Sequence, residues 1–151
     1  MKIVTFKPFL NEECIALSST ESIVIAKKMM LFLLGNKNVE KGAIGLACNQ
    51  LGLKGRVVMV RIGRGGWGWE TFVNPVILDM SEETILNEEG CLSVPKTSVK
   101  VKRHTSITIR YDRGHDSIIR ELTGEEAITM QHEIDHLNGI LITDKGETSG
   151  K

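Results

Sequence analysis

His132, Glu133 and His136 stand in the spacing HExxH within the run QHEIDHLNG, residues 131–139. On a helix, residues four apart share a face, so the two imidazoles project together and can chelate a metal ion. Glu133 sits beside the first imidazole and can lean over the metal without binding it, where a carboxylate takes a proton from water. The helix is bounded in the sequence itself. Thr123 and Glu126 have the capping-box spacing and Asn138-Gly139 supplies a stop, which predicts a helix from about Gly124 to Leu137 with the motif in its last turns. Two histidines beside a glutamate also occur on ordinary helix surfaces, so the third metal donor decides what the motif means.

A metzincin-type protease continues the motif as HExxHxxGxxH. Gly139 fits, but the last position falls on Ile142, which has no donor atom. A thermolysin-like protease takes a glutamate well downstream on another helix. Only fifteen residues follow His136, and their one glutamate, Glu147, lies in a stretch without helix signals. The third donor is therefore expected upstream, in EEGCLSVP, residues 88–95. Gly90 there permits close backbone approach. A lone cysteine is more often a buried structural thiol. Beside an HExxH that lacks its usual third donor, Cys91 becomes the best candidate. A thiolate and two imidazoles give three protein donors and leave a fourth position open.

The rest of the sequence bounds the setting. A length of 151 residues, 41% hydrophobic and 25% charged, suits one globular domain over residues 1–151. Lys plus Arg and Asp plus Glu are balanced at 19 each, which gives no electrostatic reason for a nucleic-acid or anionic-membrane partner. MKIVTFKPFL lacks the apolar core of a signal peptide, and the longest apolar run, Met29 to Leu34, is too short to span a bilayer. Three scattered cysteines, Cys14, Cys48 and Cys91, make no disulfide framework and imply a reducing compartment. The tail after Asp144, KGETSGK, is small and polar and is expected to fray.

A first helix is expected from about Thr20 to Leu34, opened by Ser18 and Glu21 as a capping box and closed by Gly35, with Ile23, Ala26, Met30 and Leu33 as its core stripe. Short strands are expected at 56–62, 71–78, 99–103, 106–111 and 117–122, with DRGHD as a hairpin turn. GRGGWGW reads either as a flexible hairpin loop or as a loop at a site entrance, with Trp67 or Trp69 touching ligand.

Three separated motifs, AIGLACNQ (residues 43–50), EGCLS (residues 89–93) and QHEIDH (residues 131–136), make the chain resemble the peptide deformylases, whose motifs run G-Φ-G-Φ-A-A-x-Q, E-G-C-L-S and Q-H-E-x-D-H. The likeness covers roughly residues 40–142 and includes FVNP at 72–75. It departs at Ala43 and Cys48, small residues within the first motif, and at Ser98, where many relatives carry an arginine near the substrate. The opening keeps only Lys7-Pro8 of a proline-rich start. The chain also stops soon after Asp144, where most bacterial relatives add a C-terminal helix, which leaves ribosome docking open.

The resemblance implies an α+β fold, with short antiparallel or mixed sheets around a central HExxH helix plus an N-terminal helix. It implies hydrolysis of the N-formyl group from N-formyl-methionine on newly made polypeptides. Glu133 would move the proton, while the Gln50 amide and the Leu92 backbone N–H would bind the oxyanion. Ile44, Gly90, Ile128 and Thr129 match positions of the methionine pocket, and Gly45 would offer backbone polar groups to the peptide. Glu89 either orients a ligand or pairs with Arg103, or it forms a plain surface ion pair. One divalent ion is expected on Cys91, His132 and His136. Geometry alone makes Zn²⁺ the default, and the resemblance implies Fe²⁺ as the working ion, with Zn²⁺, Ni²⁺ or Co²⁺ able to replace it. An iron–thiolate centre would be oxygen-sensitive, with Cys91 at risk. The expected partners are formyl-methionyl peptides and nascent chains, met by a monomer in a bacterial-type cytoplasm, with phage encoding possible. The competing readings are a small metallopeptidase, opposed by the missing downstream donor, and a non-catalytic metal-binding protein, which would need neither Glu133 nor Gln50.

Overall fold

The computed structural model describes residues 1–63 and 68–148. In chain order it runs α1 (Lys7–Leu10), α2 (Ser19–Gly35), α3 (Lys37–Gly42), β1 (Gly45–Ala47), a 3₁₀ turn (Cys48–Leu51), β2 (Val57–Arg61), β3 (Trp69–Met80), β4 (Thr84–Cys91), β5 (Val94–His104), β6 (Ser106–Arg113), β7 (Asp116–Thr123), α4 (Gly124–Leu137), α5 (Ile142–Lys145) and β8 (Glu147–Thr148). Among the described residues the strands form two sheets, ordered β1-β2-β3-β6-β7 and β4-β5-β8. Every pairing is antiparallel, so the α+β expectation holds in its antiparallel form.

Strand burial follows the side-chain period of two. Ile107, Ile109 and Tyr111 of β6 point into the core, and Val57 to Val60 of β2 are buried throughout. Phe72 of β3 meets Tyr111 edge to face, with ring centroids 4.8 Å apart. Ala127, Met130, Ile134 and Leu137 seat α4 in the same core. The helix packs on β1, β2, β6 and β7 of one sheet and on β5 of the other. Gln131 fixes the second contact: its amide donates to the His104 carbonyl at 2.8 Å and accepts the His104 N–H at 3.0 Å, completing the backbone pairing at the end of β5.

α4 has the expected span, but its expected capping box does not form. Thr123 makes no side-chain cap bond. Gly124 takes φ 61°, a left-handed turn into the helix, and the Glu126 carboxylate is turned instead to the Gly63 N–H at 3.2 Å. At the other end, Asn138-Gly139 stops the helix as expected. Gly139 has φ 75°, and a Cβ there would collide with the Asn11 carbonyl. Arg56 covers the exposed helix end, donating to the Leu137 carbonyl at 3.0 Å and to Asn138 Oδ1 at 2.7 Å.

The Ser18–Glu21 capping box of α2 is present, but only half of its expected stripe is buried. Leu33 is buried and Ala26 packs on the core, whereas Ile23 and Met30 are exposed and Ser22, Met29 and Phe32 face inward instead. α2 carries apolar residues on every face, so periodicity cannot select one, and packing against β2 and the 3₁₀ turn does. The tail beyond Asp144 does not fray at once either. Gly146 packs against β5 so closely that a Cβ would lie 2.7 Å from the Lys100 carbonyl, and β8 pairs with β5 at Lys100 and Val99.

Of the two tryptophans in GRGGWGW, Trp67 lies outside the described residues. Trp69 opens β3 and is buried beneath the Arg61 guanidinium, 5.1 Å from its ring centroid, and does not line the cleft described below. Cys14, Cys48 and Cys91 are free thiols. No helix among the described residues is long and apolar enough to cross a membrane.

Candidate active site

One turn of α4 separates His132 from His136 and sets their rings edge to face, 5.0 Å between centroids. Cys91 ends β4, where the chain turns back into β5, and this turn carries its thiol to the imidazoles. One donor atom from each of Cys91, His132 and His136 lies within 4.8 Å of the others, and Cys91 Sγ is 3.2 Å from His136 Nε2. Tetrahedral donors at ordinary zinc distances sit roughly 3.5 Å apart, so a single ion fits this triangle.

The surroundings of the donors suit a metal as well. His132 Nδ1–H donates to Glu89 Oε1 at 2.9 Å. A carboxylate can only accept, so Nδ1 carries a proton and Nε2 is the ring nitrogen that a metal would use. Glu89 is itself gripped by Arg103, whose Nε and Nη2 donate to its two oxygens at 2.8 Å each. Arg103 Nη1 reaches Asp135 Oδ2 at 2.6 Å. All of this is buried, with Arg103 only 1% exposed. Glu89 thus contacts both His132 and Arg103, and its burial rules out the plain surface ion pair. Asp135 is the fixed aspartate of the Q-H-E-x-D-H motif, but the motif gave it no role, and its contact with Arg103 emerges only from the fold.

Charge and burial set opposite proton affinities on neighbouring groups. Burial pushes the Glu133 carboxyl up to about 7, over the lowering effects of His132 and Arg103. Burial lowers His136 to about 3, with the charges of His132 and Arg103 adding to it. His132 is also penalised by burial, but hydrogen bonds to Cys91 and Glu89 raise it to about 10. A metal entering this triangle displaces that proton.

Burial alone would raise the Glu89 carboxyl, but the hydrogen bonds from Arg103 and His132, together with the charge of Arg103, outweigh it and hold it at about 2, against an ordinary 4.5. The folded value lies below the unfolded one. The resulting stabilisation is complete above about pH 4.5 and is lost as pH falls toward 2. A shift of this size corresponds to roughly 3 kcal/mol. In metal-free protein, the gap in unfolding free energy between wild type and Glu89→Gln is therefore expected to shrink steadily across that window in urea titrations. A gap that stays constant with pH would contradict the pairing.

Gln50 reaches the same centre from the 3₁₀ turn. Its Oε1 accepts the Ala47 N–H at 2.9 Å, which fixes the amide orientation. Its Nε2 then points to Ser93 Oγ at 3.2 Å and to Cys91 Sγ at 3.6 Å. Ser93, a member of the EGCLS run that sequence reasoning left without a role, is the acceptor that steadies this amide.

These groups open onto a cleft of about 540 Å³. Its wall includes Ile44, Gly45, Gln50, Gly90, Cys91, Leu92, Ile128, Thr129, His132 and Glu133. Of the expected site residues only His136 does not line it, being buried behind the others. Ala43 and Glu88 also contribute to the wall, whereas Ser98 does not. Close approach is needed at Gly45 and not at Gly90. A Cβ on Gly90 would meet its nearest neighbour, the Thr97 carbonyl, at an ordinary 3.8 Å, while one on Gly45 would overlap the Glu133 carboxylate. Glu133 Oε1 is buried without a hydrogen-bond partner among the described residues.

Two imidazoles and a thiolate lie around one point, with a buried carboxylate beside them and an open cleft in front, a donor set that could hold one metal ion. The polypeptide deformylase family profile matches residues 1–151. The chain is 40% identical over 103 residues to a peptide deformylase of Thermotoga neapolitana, covering 68% of this chain and 61% of that one. A peptide deformylase of Caulobacter vibrioides is 41% identical over 104 residues, covering 67% and 60%. The matched segment thus spans about three-fifths of these curated relatives. Solved structures agree over more of the chain. The Thermotoga maritima peptide deformylase superimposes with a TM-score of 0.82 at 32% identity, over 97% of each chain. A Met-Ala-Ser-bound class I type b peptide deformylase of Acinetobacter baumannii gives 0.82 at 28%, over 96% of this chain and 97% of that one. A probable peptide deformylase of synechococcus phage S-SSM7 gives 0.81 at 32%, over 96% and 99%. The chain belongs to the polypeptide deformylase family, which is metal-dependent.

Proposed function

We propose that this chain hydrolyses the N-formyl group of N-formyl-methionine at the start of newly made polypeptides and releases formate. The observation that carries this reading is the convergence of Cys91, His132, Glu133 and Gln50 on one cleft large enough for a peptide end. The tripeptide named for the Acinetobacter baumannii relative begins with methionine, in keeping with that substrate class.

Cys91, His132 and His136 would hold one divalent ion, which supplies Lewis acidity and lowers the pKa of water from 15.7 to roughly 7. Thiolate and imidazole donors accommodate Fe²⁺, Zn²⁺, Ni²⁺ or Co²⁺, and we take Fe²⁺ as the ion in the cell. Glu133 takes a proton from the attacking water and later gives it to the departing amine. Burial favours the protonated form of this carboxyl, which suits it to receive that proton. The Gln50 amide, fixed through Ala47, and the Leu92 N–H donate to the oxygen that gains charge; one such donor is typically worth ~3 kcal/mol of barrier. Ile44, Ile128 and Thr129, with Gly90 leaving room between the walls, would receive the methionine side chain. Gly45 would present its backbone to the peptide.

In this reading residues 1–151 act as one catalytic domain, a monomer in a bacterial-type cytoplasm, with nascent chains as partners and neither nucleic acid nor membrane. The phage relative makes a phage origin a natural alternative to a bacterial one. Protein loaded with iron, nickel or cobalt without oxygen is expected to release formate from formyl-Met-Ala and to leave acetyl-Met-Ala nearly untouched. No formate with any of the three ions would sink the proposal.

A further inference from the structure

Glu89 and Asp135 are two buried carboxylates that share one guanidinium, that of Arg103. Glu89 has a second donor in the His132 imidazole, so Asp135 is the carboxylate that depends on Arg103 alone unless another cation meets it, and an uncompensated buried charge is costly. The second cation comes from the far end of the chain. Lys145 Nζ stands 3.3 Å from both carboxylate oxygens of Asp135, with 43% of its side chain exposed.

Its position is fixed by the packing of α5. Leu141 and Ile142 are buried, Asp144 Oδ2 accepts the Leu141 N–H at 2.9 Å, and Gly146 lies flush on the β5 backbone. A continuous chain of contacts results: Lys145 to Asp135, Asp135 to Arg103, Arg103 to Glu89, and Glu89 to His132 Nδ1. We propose that Lys145 is a positioning residue for the metal-binding His132: by neutralising Asp135 it leaves Arg103 free to hold Glu89, and Glu89 free to hold the imidazole. Without Lys145 both carboxylates compete for Arg103, and the grip on Glu89 loosens. This rests on the reading of Cys91, His132 and His136 as metal ligands.

The test is Co²⁺ binding to metal-stripped protein, followed by the visible absorption of the bound ion and by competition with a chelator. Losing a direct partner of a ligand typically costs ~10–100-fold in metal affinity, and Lys145, three contacts further out, is expected to cost roughly three- to tenfold as Lys145→Met. Lys145→Arg should restore wild-type affinity. Lys7→Met removes another ion pair of α5, between Lys7 and Asp144 at 3.4 Å, and should leave Co²⁺ affinity unchanged. Unchanged affinity in Lys145→Met would overturn the proposal, as would an equal loss in Lys7→Met, which would trace the effect to a looser α5. Tighter binding in Lys145→Met would also overturn it, because Lys145 would then be acting as a bare repelling charge. Wild-type protein that does not take up Co²⁺ would instead bring down the metal-site reading itself, and the proposal with it.

Discussion

Glu133→Gln is expected to bind one metal ion per chain, as wild type does, and to lose about 10²–10⁴-fold in kcat/KM for formyl-Met-Ala. The glutamine keeps the volume of the glutamate, which matters because the side chain is almost fully buried against Gly45. It cannot accept and return a proton. Since the proposed site draws its three donors from Cys91, His132 and His136, metal content should not follow activity. Elemental analysis beside the formate assay separates the two. If Glu133→Gln loses metal as well as turnover, Glu133 is a ligand and the proton-transfer role is wrong. If it keeps both, the raised carboxyl has no part in the reaction.

The part of the site carried by α4 was legible because a helix converts sequence spacing directly into geometry. Residues 132 and 136 must share a face once the chain there is helical, and Gly139 with Asn138 marked where it ends. Cys91 was reached by elimination, from the missing downstream donor. Contacts that depend on how separate elements meet were harder to see. A Glu89–Arg103 pair was among the expectations, but nothing in the spacing of Asp135 and Lys145 along the chain indicates that α4 and α5 extend it into a chain of ion pairs ending at the half-exposed Lys145. The capping box at Thr123 failed for a similar reason: Glu126 had the right spacing, but a tertiary partner, the Gly63 N–H, took its carboxylate. On α2 the sequence was too uniformly apolar to choose a face, so the buried stripe was set by its neighbours. The lysine and glycine after Asp144 read as a fraying tail because their anchors, Asp135 and the β5 backbone, lie ten or more residues away.

Gly45→Ala is expected to fold and to bind metal normally, yet to lose on the order of 100-fold in kcat, since a misplacement of about 1 Å at reacting groups costs that much. The added methyl would overlap Glu133 Oε2 and come within 2.8 Å of Thr129 Cγ2. Both are side-chain atoms, and the glutamate carboxylate is the freer of the two to swing aside. The backbone at Gly45 does not have a positive φ, so alanine introduces no strain of its own. The clash is therefore relieved by moving the proton carrier, and the damage falls on catalysis more than on stability. Thermal unfolding near the wild-type midpoint, full metal content and a collapsed kcat would together show that the first motif keeps a glycine here to make room for Glu133. Wild-type kcat would mean that the carboxylate has space to adjust and that its position against Gly45 is not part of the mechanism. A broadly destabilised protein would show instead that β1, which pairs Gly45 with Val60 of β2, cannot shift to accept even one methyl group.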